Sequence, residues 1–245
     1  MPPTSSRAGR TTAANTCIAD RFLRLERATP ATVVALFNGT AAVFNVAIQS
    51  LSRDLDLPHL QTMTTLPSLA PDIRLFGDVN EGMLSEFFRQ QAETKVAGPI
   101  VFELSTSGGD AEAGRRIAEE LRLWQLQDRE LYFLGKTYVF SAGITIMAAI
   151  PKSRRFLTAD CELLIHERKM KATITLDGAL RGCRAKINDV LAEIESGQRL
   201  QTEGFARLVK DSKVTVQDIE QRVLEKDWYL TAAQALEHEL VAGVV

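Results

Sequence analysis

Residues 135–166, GKTYVFSAGITIMAAIPKSRRFLTADCELLIH, decide how this chain is read. The stretch opens on a small-residue turn and sets Ser141 directly before Ala142 and Gly143. The apolar run 144–150 then reads as a buried helix, followed by a basic patch of Lys152, Arg154 and Arg155. It closes on a short apolar strand, Leu163, Leu164 and Ile165, with His166 at its end. A serine hydroxyl is barely ionised at neutral pH and needs a neighbouring base to act as a nucleophile. A serine at the mouth of a buried helix and a histidine at the end of a buried strand are the two halves of such a pair.

Upstream of this stretch, from Asp72 on, strand and helix patterns alternate. Ile73–Phe76 reads as a strand ending at Gly77. Asn80 is a helix N-cap, its side chain suited to the first free N–H groups. Met83, Leu84, Phe87, Phe88 and Ala92 then fall on one helical face. Residues 99–104 (PIVFEL) form the continuous apolar run of a buried parallel strand. After the turn 105–110, Ala113, Ile117, Leu121 and Trp124 form the inner face of a helix that turns Arg115, Arg116, Glu119 and Glu120 outward. Residues 130–134 give another strand. This rhythm predicts βαβ units and an α/β fold with a parallel sheet.

Downstream, residues 171–176 (KATITL) read as an exposed strand. A long amphipathic helix comes next, with Leu180, Cys183, Ile187, Val190, Leu191 and Ile194 on one stripe. Thr215 with Asp218, and Thr231 with Gln234, fit capping boxes that start two short helices. Residues 227–230 lie between them, and residues 240–245 form a closing apolar strand.

The leader, residues 1–70, reads differently from the domain expected over 71–245. Residues 1–20 are small and polar with little to bury, so they read as disordered rather than as a signal peptide. Residues 31–49 are apolar but carry Asn38, Gly39, Thr40 and Asn45, and read as a helix or helix pair packed on protein, with a membrane span as the minor alternative. Pro58, Pro67 and Pro71 punctuate a linker. The chain is 45% hydrophobic and 24% charged with a net charge of −2, which gives no sign of a general nucleic-acid or membrane-surface binder. Three dispersed cysteines, Cys17, Cys161 and Cys183, argue for a reducing, cytoplasmic setting, and no pair has zinc-ligand spacing.

Only three histidines are available as a base. His59 lies in the leader. His238, between two glutamates near a helix end, reads as a solvated side chain. His166 alone ends a buried strand. Gly108 and Gly109, between a buried strand and a helix, allow the backbone to turn sharply and leave an N–H group free. The N–H of Gly109 together with that of Ala142 would make a two-donor oxyanion hole, each donor contributing about 2.7–4 kcal/mol to the transition state. Ala142 also begins the helix after Ser141, so the helix dipole acts in the same sense. There is no G-x-S-x-G elbow, since Val139 stands where the first glycine would be.

The blocks IRLFGDV, FELSTSGGDAEAG, GKTYVFSAG, LLIHE and KDWYLTAAQALEHELVAGVV occur in the order of the signature blocks of the ClpP-like serine peptidases, and the chain resembles that family from Asp72 to Val245. The resemblance implies a ClpP/crotonase-like fold of stacked ββα units, the long helix from about Leu180 projecting as a handle. It implies peptide-bond hydrolysis with Ser141 as nucleophile, His166 as base and Asp227, just before Trp228, as the residue that orients His166. Asp211 and Asp218 are weaker rivals for that last role. It further implies polypeptide substrates, stacked heptameric rings of identical subunits, a Clp-type ATPase as partner, and no cofactor or metal. Three departures stand out. The glycine pair follows Thr106-Ser107 where the family has Ser-Pro; Ala142 follows the serine in place of Met; and Glu167-Arg168-Lys169-Met170 replaces a Gln-Pro and glycine-rich turn. The alternatives are a crotonase-like acyl-CoA enzyme, an inactive ring subunit and a phage-type maturation peptidase on the same fold.

Overall fold

The computed structural model describes residues 65–94 and 97–245. The readings of residues 1–20 and 31–49, and of Cys17, His59 and Pro58, lie outside the described residues. Within them, strand β1 (Ile73–Phe76) leads to helix α1 (Glu81–Glu93), β2 (Ile100–Thr106), α2 (Ala111–Leu126) and β3 (Leu131–Phe140). Helix α3 (Ala142–Met147), a 3-10 turn (Lys152–Arg154), β4 (Arg155–Leu157) and β5 (Glu162–Ile165) come next. The long helix α4 (Leu180–Val209), α5 (Val216–Glu225), β6 (Trp228–Thr231), α6 (Ala232–Glu237) and β7 (Gly243–Val244) complete the chain.

Side-chain caps start four of the helices, three of them at the residues the sequence predicts. The Asn80 side chain accepts the Met83 N–H at 2.9 Å. Asp110 accepts from Glu112 and Ala113 at the head of α2. Both capping boxes form, Thr215 with Asp218 and Thr231 with Gln234. Strand β2 is buried on both faces, as its unbroken apolar run requires. Phe102 of β2 sits between Phe87 of α1 and Phe133 of β3 in the main core. The other face of the sheet carries a smaller cluster of Val101, Tyr132, Leu134 and Phe156, with Leu66 and Ala242 against it.

The sheet runs β1-β2-β3-β4-β7, all parallel; β5 joins β3, and β6 pairs antiparallel with β5. One feature of β3 positions the site. Its first part, Phe133–Gly135, pairs with β4, and its last part, Tyr138–Phe140, pairs with β5. Between them the register against β2 jumps from Leu104↔Gly135 to Thr106↔Val139, and Thr137 takes a positive φ of 59°. Such a bulge bends a strand and re-aims the residues beyond it, here Phe140 and Ser141. The turn expected at Gly135 is therefore a bulged continuation of one ten-residue strand.

Other expectations need correction. Residues 171–176 form no strand: no strand among the described residues pairs with them, and Ile174 and Leu176 are left exposed. The closing strand is limited to Gly243–Val244. Arg155 belongs to no surface patch; it is 1% exposed. His238 is not simply solvated, since its ring meets the Trp228 indole edge-on with centroids 5.5 Å apart. Helix α4 forms as predicted, but its apolar stripe stays open, with Leu180, Ile187, Leu191 and Ile194 all exposed.

Candidate active site

Ser141 stands between the end of β3 and the start of α3, at φ 54° and ψ −112°. A non-glycine residue in that region carries strain of about 1–3 kcal/mol and is held there by its surroundings. Its N–H donates to the Leu164 carbonyl at 2.9 Å, one step past the Phe140↔Leu164 pair. The sheet therefore lays Ser141 beside the end of β5, where His166 emerges. Both side chains are half-buried and line one cavity of about 430 Å³.

Gly109 and Ala142 line the same cavity. Gly109 has φ +138°, and a Cβ there would collide with the Val79 carbonyl oxygen, so only glycine fits. Gly108 is equally constrained: its Cβ would stand 2.6 Å from that of Ser141. The pair is locked by Val79, whose N–H donates to the Gly108 carbonyl and whose own carbonyl accepts from Asp110 N–H. Neither the Gly109 nor the Ala142 N–H has an acceptor among the described residues. The two amides are free donors at the cavity that holds the hydroxyl and the imidazole, an arrangement able to stabilise an oxyanion.

Asp227 does not line the cavity. Register nonetheless places it close to the histidine. Ile165 pairs with Trp228 at the end of the β5–β6 ladder, so one further step sets His166 opposite Asp227. The Asp227 carboxylate instead meets Lys169 Nζ at 3.5 Å. Nδ1 of His166 lies 2.5 Å from the Glu167 carbonyl oxygen. No hydrogen bond joins His166 to Ser141 or to Asp227 among the described residues. The rival aspartates are elsewhere: Asp218 caps α5 through Thr215, and Asp211 occupies a positive-φ turn beyond α4.

The segment after His166 is pinned from two sides. Its Arg168 N–H donates to Gln201 Oε1 of α4 at 2.6 Å, and its guanidinium pairs with Glu112 of α2 at 2.5 Å. Glu112 also binds Arg115. Burial alone would raise the Glu112 carboxyl, but the hydrogen bonds from Arg168 and Arg115 outweigh it and hold the group below its ordinary range. Sequence reasoning missed this clamp. Arg168 stood out only as a departure from a family pattern, and nothing local ties it to a residue 56 positions away. Leu200, Gly204 and Phe205 of α4 complete the cavity wall. Among the described residues no group of three or more His, Cys, Asp or Glu is placed to hold a metal ion.

A hydroxyl at a strained strand-to-helix turn, an imidazole beside it and two free amides make this an α/β protein with a cleft suited to acyl transfer. Comparison with known proteins gives the family. A profile described as Clp protease matches residues 70–245, and the chain belongs to the Clp protease family. Among curated relatives, the chain is 25% identical over 168 residues to the ATP-dependent Clp protease proteolytic subunit 2 of Treponema pallidum (strain Nichols), covering 69% of this chain and 76% of that one. It is 23% identical over 181 residues to the proteolytic subunit 3 of Rhizobium etli, covering 71% and 82%. A solved structure of a ClpP1 mutant from Listeria monocytogenes superposes with a TM-score of 0.57 at 18% identity, over 71% of this chain and 90% of that one. The fold is the ClpP/crotonase type, with α4 as its handle helix. Among the described residues no helix is long and apolar enough to cross a membrane.

Proposed function

We propose that the chain is a serine endopeptidase acting through Ser141, His166 and Asp227. The observation that carries this reading is the shared cavity of Ser141, His166 and the free amides of Gly109 and Ala142. Ser141 Oγ attacks the scissile carbonyl carbon while Nε2 of His166 takes its proton. The resulting oxyanion accepts hydrogen bonds from Gly109 and Ala142 N–H. His166 returns the proton to the leaving amine, the C–N bond breaks, and an acyl-enzyme remains. A water then attacks the ester carbonyl as His166 takes its proton; the C–O bond to Ser141 breaks, His166 returns the proton to Oγ, and the acid product leaves. Asp227 accepts from Nδ1–H of His166, fixes the tautomer and stabilises the imidazolium. The substrates are polypeptides threaded into a chamber of stacked homo-oligomeric rings, heptameric by family resemblance. A Clp-type ATPase supplies them in the cytoplasm.

The test is a serine-directed fluorophosphonate probe together with turnover of a small peptide ester by the purified chain. Labelling maps to Ser141, and Ser141→Ala abolishes both labelling and turnover, a loss of at least about 10³-fold. Turnover that survives Ser141→Ala rules the reading out. The pairing of Asp227 with Lys169 favours one second reading, a ring subunit without activity of its own. It would show neither labelling nor turnover while still assembling.

A further inference from the structure

We propose that Lys169 is a positioning residue that competes with His166 for Asp227, and so sets how much of the triad is assembled. The inference rests on the serine-peptidase reading. Register sets the Asp227 backbone opposite that of His166. Yet the carboxylate is held at 3.5 Å by Lys169 Nζ, and Nδ1 of His166 faces the Glu167 carbonyl. The histidine and the lysine thus flank one acceptor, and the lysine holds it.

Lys169 is delivered there by an anchored backbone. The preceding residue, Arg168, is tied by its N–H to Gln201 and by its guanidinium to Glu112. The other charged groups around the cavity are engaged elsewhere. Asp110 caps α2, Glu112 is shared by Arg115 and Arg168, and Arg207 pairs with Glu203; the Glu167 side chain is turned to solvent. Lys169 is the cavity cation whose charge is directed at a triad member. Because Lys169 and Asp227 are 71% and 40% exposed, their pairing is weak enough to exchange with the imidazole.

The experiment compares the full chain with Lys169→Ala, Asp227→Asn and the double variant, with Ser141→Ala as control. Lys169→Ala is expected to raise kcat/KM for a small peptide ester about two- to fivefold, the range that loss of an exposed competing ion pair allows. The gain disappears in the Asp227→Asn background. In proton NMR, Lys169→Ala shows a strongly low-field His166 Nδ1–H signal that is weak in the unmodified chain and absent from the double variant. With only three histidines in the chain, the signal is assigned by its loss in His166→Gln. Unchanged or lowered turnover in Lys169→Ala, a gain that persists without Asp227, or a full low-field signal already present in the unmodified chain overturns the competition. Turnover surviving Ser141→Ala would overturn the underlying serine reading instead, and the NMR signal then decides the Lys169 question by itself.

Discussion

Arg155 is the residue whose environment departs furthest from what its type suggests. Its guanidinium is buried, forms no ion pair among the described residues, and donates its hydrogens to five backbone carbonyls. Ile150 and Ala148 stand at the C-terminal end of α3 and just beyond it, Arg207 and Leu208 at that of α4, and Leu240 beyond α6. Carbonyls at helix C-termini lack internal partners and carry partial negative charge, so one cation satisfies several at once. Burial lowers the group to about 10, with Asp211 opposing, and it stays protonated at neutral pH. Arg155→Met is expected to cost about 3–5 kcal/mol, because it leaves the carbonyls buried and unpaired. Lys at this position rescues little, since one ammonium cannot span the fork. Urea unfolding monitored by circular dichroism measures both. By contrast, the Cys161 thiol, pushed up to about 12 by burial, is an inert core group.

At the scale of elements, α4 poses the open question of packing. It is thirty residues long, and among the side chains described only Phe205 and Leu208, near its base, are buried. Ile187 and Leu191 are 46% and 50% exposed on a stripe that continues to Ile194. A helix is amphipathic because something covers its apolar face, and on the proposed assembly that cover is another copy of the chain. Substituting Ile187 and Leu191 together by Glu is expected to shift the particle to smaller species in light scattering. Helix content stays unchanged by circular dichroism. An unchanged mass would show that the stripe has no role in association. The segment 171–176 shares this character: alternating polar and apolar, it finds no strand partner among the described residues.

At the scale of the molecule, three pieces distant in sequence meet over the cavity: the head of α2, the segment after His166 and the lower part of α4. Glu112 and Gln201 hold them together through Arg168. Because the folded Glu112 carboxyl lies below its ordinary 4.5, its ionised form is favoured by folding. Its contribution is therefore complete above pH about 4.5 and is lost as pH falls through the lower folded value. Thermal melts of the chain and of Glu112→Gln are expected to differ at pH 7 and to converge as the pH is lowered below about 4.5. A constant difference would mean that the charge is irrelevant to the clamp. The residues that line the cavity are thus spread across the fold: Ser141 comes from the β3–α3 turn, His166 from the end of β5, and Gly109 and Ala142 from the approaches to two helices.

Much of this was legible in the residues. Cap chemistry is local, so Asn80, Thr215 and Thr231 announced their helices. Apolar runs announce burial, so β2 and β5 were placed from their side chains alone. Gly109 was identified as a turn that leaves an amide free, and its φ of +138° against Val79 gives the physical reason. What the sequence could not settle depends on which groups meet across long separations. The bulge in β3 arises from pairing with two different strands, and no local pattern carries that information. Arg155 looks like any surface arginine until separate chain segments turn their carbonyls towards it. The family resemblance points to Asp227, but only the tertiary structure brings Lys169, from the segment clamped by Glu112 and Gln201, to its carboxylate. Short-range propensities are encoded residue by residue; competition for a single carboxylate is decided by where the whole fold delivers each charge.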